Sequence, residues 1–404
     1  MKNTLWTGDN LYILNGMNSE SVDLIYLDPP FNSKRSFSAP IGSKAAGASF
    51  KDMWTWRDVD EYYLEKLFTE YPFMTQFIQT IEGIHGKAMM SYVTYMTQRL
   101  IEMHRVLKPT GSIYLHCDPT ASHYLKIIMD RIFGKNNFRN EIVWHYTGGG
   151  RSKNYFSRKH DTLILFAKQK EKMLFNVDSI RVPYKETSGY AKSGIVSKSG
   201  KKYFPNKKGT PVDDVWDIPI INPMSSERIG YPTQKPLALL RRIIEASSKK
   251  GDIVFDPFCG CATTCVAAQQ LGRKWIGIDI EEKAAQVLID RLTDDAGLFS
   301  DFVHRTDIPH RTDIKKVTPT HTIKEKLFKT QKGLCNACKT KFEIRHFDID
   351  HIIPKSKGGG DYYENYQLLC GSCNRIKGNR PMEYLQMKVR EIEKKLKQEV
   401  TFGS

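Results

Sequence analysis

The sequence predicts an α/β protein: a mostly parallel sheet layered with helices, followed by a small second domain held together by a metal. Three observations carry this. Short apolar runs that end on an aspartate alternate with segments of helical apolar spacing, as in βαβ units. Cys335-x-x-Cys338 and Cys370-x-x-Cys373 form two pairs near the end, the spacing of a tetrahedral zinc site. The polar stretch between these regions reads as a linker.

The elements follow in order. Val22 to Leu27 is apolar and stops at Asp28-Pro29-Pro30-Phe31, because proline donates no ladder hydrogen bond. Residues 32–90 are mixed, with Trp54, Trp56, Tyr62 and Tyr63 close together. Met96, Leu100, Met103 and Leu107 repeat at helical spacing, Lys108-Pro109-Thr110-Gly111 ends that helix, and 112–117 is the next strand. Loop-like stretches follow, among them Gly148-Gly149-Gly150-Arg151. The rhythm then resumes: a helix over 237–246, a strand over 251–256, a helix over 263–271 and a strand over 275–279. A further helix carries Ala284, Val287, Leu288 and Leu292. Beyond it, His304 to Pro309 is nearly repeated by His310 to Lys315, and two copies are too few for a solenoid. A charged helix from Pro381 to about Glu399 closes the chain.

Composition narrows the function. Of 404 residues, 40% are hydrophobic, enough for a sizeable core. No run approaches the 18 or so apolar residues of a membrane helix, and the start lacks a signal-like apolar segment. A cytoplasmic location without membrane contact is the expectation. Net charge is +16. The surplus concentrates in residues 148–210, with 15 basic and 4 acidic side chains, and in 321–400, with 17 and 10. Two basic regions on an otherwise balanced chain point to a polyanionic partner, nucleic acid first.

Two motifs carry chemistry in the first three quarters. Asp256-Pro257-Phe258-Cys259-Gly260 links a strand to a helix, and Asp279 ends the next strand. Glycine lets backbone approach a ligand, helix-terminal N–H groups are free, and a carboxylate about 20 residues on can take a ribose diol. Full G-x-G-x-x-G is absent, which disfavours a dinucleotide. In Asp28-Pro29-Pro30-Phe31, the Asp28 carboxylate and Pro29 carbonyl suit an exocyclic amine, and Phe31 offers a stacking face. A base reaches such a pocket by flipping out of the duplex.

Together these motifs resemble an amino-group DNA methyltransferase of the permuted β type, in which the catalytic motif precedes the cofactor motif. The match covers about residues 1–295 and includes 158–168 and Thr233-Gln234-Lys235-Pro236. The resemblance implies a Rossmann-like fold with S-adenosylmethionine near Asp9, Thr233, Lys235, Pro236, Asp256, Phe258, Gly260, Thr263 and Asp279. Adenine N6 is favoured over cytosine N4, because D-P-P-F goes mostly with adenine in this family. Ala262 stands where the family has glycine, a strained choice if that position needs a positive φ. Cys259, Cys261 and Cys265 read as small packing residues; no cysteine follows a proline, as carbon-5 cytosine chemistry would need.

Between the cysteine pairs, Asp350-His351-Ile352-Ile353-Pro354, Asn365 and Asn374 resemble the HNH, or ββα-metal, endonucleases. The resemblance implies His351 as general base, Asp350 and Asn374 holding a catalytic Mg²⁺ or Mn²⁺, and Asn365 fixing the His351 loop. Cys335, Cys338, Cys370 and Cys373 would hold structural Zn²⁺. Asn374 stands in place of the name-giving histidine.

The expected organisation is a methyltransferase over 1–295, with a target-recognition insert at about 148–210 and a base-proximal loop within 32–90. A linker spans 296–322 and an HNH domain 323–404. The partner is double-stranded DNA, and related enzymes often pair as homodimers. The expected function is a site-specific DNA methyltransferase whose HNH domain cleaves unmodified DNA in a restriction–modification role. The competing readings are a non-cutting HNH clamp and an RNA-directed methyltransferase.

Overall fold

The computed structural model describes residues 2–31, 35–40, 42–46, 49–52, 54–59, 64, 67–68, 70–147, 151–185, 187–282, 285–287, 289–291, 302–314, 317–355, 359–380, 382 and 384–392. Several sequence expectations fall partly outside these residues. They are the Gly148–Gly150 turn, Tyr62 and Tyr63 in the 32–90 loop, and Ala284, Leu288 and Leu292. Parts of the 296–322 linker, Ser356–Gly358, and Pro381 with 393–399 of the last helix complete the set.

The chain forms two compact units. The first comprises 1–10, 20–56 and 77–306, and the second 11–19, 57–76 and 307–404. Among the described residues of the first, nine strands make one sheet. They are β1 (Asn3–Thr7), β2 (Val22–Leu27), β3 (Leu107–Cys117), β4 (Phe138–His145), β5 (His160–Ala167), β6 (Val215–Asp217), β7 (Ile253–Asp256), β8 (Lys274–Asp279) and β9 (Phe302–Arg305). Their order is β6-β4-β5-β3-β2-β7-β8-β1-β9. All neighbours are parallel except β3–β5 and β4–β5, so β5 alone runs against the others.

Helix α1 (Lys87–Val106) begins five residues before Tyr92, where its apolar spacing starts, and passes directly into β3 at Leu107. Lys108-Pro109-Thr110-Gly111, expected to separate helix from strand, becomes an irregularity inside the strand: Val22 pairs Leu107, but Leu24 pairs Ser112. Pro109 is tolerated there because a bulged position makes no ladder bond. At Gly111 a Cβ would stand 2.6 Å from the Asp23 carbonyl oxygen, so only glycine fits that approach.

Helices α2 (Leu237–Ser247) and α3 (Thr263–Gln270) lie where the periodicity placed them. Leu239, Leu240, Ile243 and Ile244 pack in one core with Leu24, Tyr114, Leu165, Val254 and Trp275. Burying side chains of this size is worth roughly 1.5–3 kcal/mol each. The stretch read as linker contributes β9 at one sheet edge, pairing Asn3–Trp6 with Phe302–Arg305.

In the second unit, helix α4 (His321–Thr330) precedes an antiparallel pair, β10 (Phe347–His351) and β11 (Tyr366–Cys370), which leads into α5 (Gly371–Lys377). This ββα arrangement closes over Ile323, Leu327, Phe347, Leu368, Leu369 and Leu385. The second copy of the repeat is tied down: Thr312 N–H donates to Asn18 Oδ1 and Ser19 N–H to Asp313 Oδ2. No helix among the described residues is long and apolar enough to cross a membrane.

Candidate functional site

Strand order gathers the motifs. β2, β7, β8 and β1 are adjacent and parallel, so Asp28, Asp256, Asp279 and Asp9 emerge at the same carboxyl edge of the sheet. That is where open α/β sheets bind ligands.

Asp28 is half-buried just past the end of β2. Its Oδ2 lies 2.7 Å from Lys235 Nζ. Its Oδ1 is buried without a hydrogen bond among the described residues, and His116 Nδ1 lies 3.8 Å from it. Lys235 also stands 5.3 Å over the Phe31 ring. The cofactor expectation for Lys235 is therefore joined by a partner at Asp28, which Lys235 holds so that one oxygen is bonded and the other is left open.

The turn after β7 is built around two carboxylates. Asp256 accepts from Thr264 Oγ1 at 2.6 Å and from the Phe258 N–H at 3.0 Å. Asp279 accepts from the N–H groups of Gly260 (2.8 Å) and Glu281 (2.9 Å). Burial outweighs these bonds, pushing Asp256 up to about 7 and Asp279 up to about 6. Asp28 adds to the negative field at Asp256. Gly260 has φ +48°, and a Cβ there would meet the Tyr231 ring at 3.2 Å. Ala262 sits fully buried at φ 52°, ψ 38°, the left-handed conformation in which its methyl is strained.

Asp9 pairs with Arg99 at 2.7 Å, and Arg99 is itself buried. Arg99 Nε donates to Asn10 Oδ1 at 2.6 Å, and Asn10 Nδ2 donates to the Pro257 carbonyl at 2.8 Å. A single arginine in α1 thus braces both sides of the turn. Phe258 is 6.5 Å from Tyr95, which is 4.0 Å from Trp54. Trp54 Nε1 is buried without an acceptor among the described residues. An excess of carboxylates, an aromatic wall and an orphaned donor suit a cationic nucleoside ligand, so the residues present fit S-adenosylmethionine. Thr233 is exposed, with φ 62°, and bonds the neighbouring Pro232 carbonyl. Pro236 precedes α2, and Thr263 Oγ1 accepts from Arg291 at 3.0 Å.

Sequence reasoning passed over Arg99 and His116. His116, next to last in β3, stands just beyond the Leu27–Leu115 pair and so beside Asp28. A signal existed: a histidine ending an apolar strand whose parallel neighbour carries the D-P-P-F motif.

In the second unit, Cys335, Cys338, Cys370 and Cys373 bring all four sulfurs within 4.8 Å of one another. Four thiolates at that spacing fit a tetrahedral zinc ion. His351 Nε2 is 2.8 Å from Asp361 Oδ1, an orienting carboxylate that the motif did not reveal. Lys355, His351 and Tyr366 hold Asp361 down at about 2. Asn365 bridges the His351 loop by accepting from the Ile353 N–H and donating to the Ile353 and Gly360 carbonyls. Asp350 Oδ2 already faces Lys377 Nζ at 3.0 Å and Gln367 at 2.8 Å, and Lys377 is buried. Asn374 turns its amide to Asp348 at 3.1 Å. Asp350 and Asn374 in this arrangement do not fit a hard divalent cation, because the carboxylate has its counter-charge and the amide presents a donor elsewhere.

Comparison with known proteins places these sites in context. The DNA methylase family matches residues 22–290, and the HNH endonuclease family matches 335–380. The chain is 35% identical over 215 residues to type II methyltransferase M.HpaI of Haemophilus parainfluenzae, covering 53% of this chain and 63% of that protein. It is 31% identical over 290 residues to DNA adenine methyltransferase YhdJ of Escherichia coli (strain K12), covering 72% of this chain and 82% of that protein. Among solved structures, the cytosine-N4-specific PvuII DNA methyltransferase is similar at TM-score 0.45 and 14% identity, over 75% of this chain and 95% of that one.

Proposed function

Because this chain belongs to the N6/N4 DNA methylase family, we propose that it moves a methyl group from S-adenosylmethionine to an exocyclic base amine in double-stranded DNA, adenine N6 before cytosine N4. One observation carries the proposal: Asp28 presents a buried oxygen with no hydrogen bond among the described residues, next to Pro29 in the motif that holds Phe31, while Lys235 occupies the other oxygen. A buried acceptor left unsatisfied costs about 1–3 kcal/mol, which a flipped base amine would recover. Accepting the amine's N–H directs the nitrogen lone pair out of the ring. S-adenosylmethionine, when bound, supplies an electrophilic methyl group on a sulfonium. Asp256, Phe258, Gly260 and Asp279 would hold it, with Asp9 and Arg99 bracing the turn. The name of YhdJ supports adenine. The domain reading remains 1–295, 296–322 and 323–404, and the basic stretch within 148–210 exposes Tyr155, Phe156, Tyr203 and Phe204 for DNA contact.

The test is labelled methyl transfer to unmethylated DNA followed by nucleoside analysis. N6-methyladenine should appear, and Asp28→Ala should abolish it while S-adenosylmethionine still binds. Near-normal turnover in Asp28→Ala would overturn the site.

For the small domain, the Asp350–Lys377 pair favours a zinc-held DNA clamp. The cutting alternative, with His351 as base in a restriction–modification role, requires Mg²⁺- or Mn²⁺-dependent cleavage of unmodified DNA, absent after premethylation and lost in His351→Ala.

A further inference from the structure

We infer that His116, oriented by Asp161, takes up the proton that the methylated amine sheds, receiving it through Asp28. This rests on the methyltransferase reading of Asp28 and deepens it.

The need follows from atom balance. The amine nitrogen forms its bond to the methyl carbon as the carbon–sulfur bond breaks, the electron pair of that bond staying on sulfur. The nitrogen is left cationic with one proton too many. Asp28 Oδ1, the acceptor of that N–H, is the first atom to receive it. Asp28 cannot keep it through turnover, because the next base amine needs a carboxylate.

The structure supplies a next acceptor. His116 is completely buried, with Nδ1 3.8 Å from Asp28 Oδ1. Tyr26 Oη is 2.9 Å from the same Nδ1, and Asp161 Oδ2 is 3.2 Å from Nε2. An acceptor carboxylate beside Nε2 favours the tautomer whose proton points at Asp161, in which Nδ1 accepts from the Tyr26 phenol. Asp161 in turn accepts from Tyr146 Oη at 3.2 Å. Phe31 and Trp144 pack on the imidazole at centroid distances of 5.8 and 5.5 Å and fix its plane. Among the described residues, the charged and titratable groups around this site include Tyr26 and Asp28 at the end of β2, Cys117 and Asp118 after His116, Glu141 on β4, Asp161 on β5, Tyr146 after β4, Lys235 before α2 and Asp256 at the end of β7.

A carboxylate behind an imidazole whose other nitrogen faces the working group is an arrangement that makes the ring a base and stabilises its cation. The 3.8 Å gap is one that closes when substrate engages, as acid–base contacts in substrate-free sites commonly do. On protonation of Nδ1, Tyr26 Oη turns from donor to acceptor and Asp161 balances the charge. The proton has a way out: the Asp161 side chain is 18% exposed, whereas that of His116 is 0% exposed.

The experiment compares full-length wild type, His116→Gln and Asp161→Asn in single-turnover methyl transfer to unmethylated plasmid DNA from pH 5.5 to 9. Titrations of S-adenosylmethionine and DNA, and melting curves, accompany it. His116→Gln should slow transfer about 10- to 100-fold with both affinities within about threefold, and should lose the acid limb of the rate profile. Asp161→Asn should move that limb to lower pH, because the cation loses its counter-charge. If His116→Gln does not melt cooperatively, the Asp161→Asn limb decides, and an unmoved limb overturns the relay. A folded His116→Gln within threefold of wild type at every pH also overturns it. Asp28→Ala separates the levels: if it is inactive while His116→Gln is unaffected, only the relay fails, and if it is active, the site reading beneath fails.

Discussion

Asp256→Asn probes the electrostatics of the cofactor turn. Asp256 is 3% exposed, and burial pushes it up to about 7 from an ordinary value near 3.8. A carboxyl with a raised folded-state pKa binds its proton more tightly in the native protein than in the unfolded chain. The stability it contributes is full below about pH 4 and is lost as pH rises through about 7. Three pKa units at 1.36 kcal/mol each give about 4 kcal/mol, and partial relaxation of the site brings the expected effect to roughly 2–4 kcal/mol. Asparagine mimics the protonated form and cannot titrate. It still offers a carbonyl to the Phe258 N–H, and any fixed cost of losing the second acceptor for Thr264 is the same at every pH. Asp279, raised in the same direction, is common to both proteins. Urea unfolding of the ligand-free proteins at pH 4.5, 5.5, 6.5 and 7.5 should therefore show Asp256→Asn gaining on wild type as pH rises. Titration calorimetry at pH 6 in buffers of different ionisation enthalpy should show wild type releasing a proton when cationic S-adenosylmethionine binds, and Asp256→Asn releasing less. A stability difference that does not change with pH, or that moves the other way, would refute burial as the dominant influence on this carboxyl.

Further outcomes are expected elsewhere. Ala262→Gly removes a fully buried methyl yet should stay within about 0.5 kcal/mol of wild type, because relief of the left-handed strain offsets the lost burial; Ala262→Val should lose more than about 2 kcal/mol, both read from chemical denaturation. Lys377→Met leaves Asp350 charged without its partner and should destabilise the small unit by about 3 kcal/mol, seen as a lower melting transition, while Lys377→Met combined with Asp350→Leu should recover much of it. Purified protein should carry about one zinc per chain. Cys370→Ser should lose that zinc and locally unfold the C-terminal HNH region while methyl transfer persists; a metal-free preparation with that region intact would contradict the assignment.

Much of the fold and of the site is legible in the amino-acid sequence. Val22–Leu27, Ile253–Asp256 and Lys274–Asp279 are readable as strands because buried parallel strands are short apolar runs, and the aspartates at their ends mark where they stop. The cysteine pairs need only their spacing. The left-handed turn at Ala262 is foreseeable from a position where related sequences use glycine. Tertiary structure alone decides what depends on strand order. His116 and Asp28 lie 88 residues apart and meet because β3 pairs with β2. Arg99 reaches Asp9 and Asn10 only once α1 packs beside β1's end. Strands β4, β6 and β9 have mixed burial patterns that periodicity does not separate from loops, and β6 and β9 gain their ladder bonds from neighbours distant in sequence. Lys235 and Lys377 show the same limit most plainly. A lysine in a sequence is a flexible charge on a long stem, and its counter-ion is whichever carboxylate the fold leaves buried within reach. Local sequence therefore determines where a strand ends and which residues bear the chemistry, whereas the partners of buried charges are set by long-range pairing.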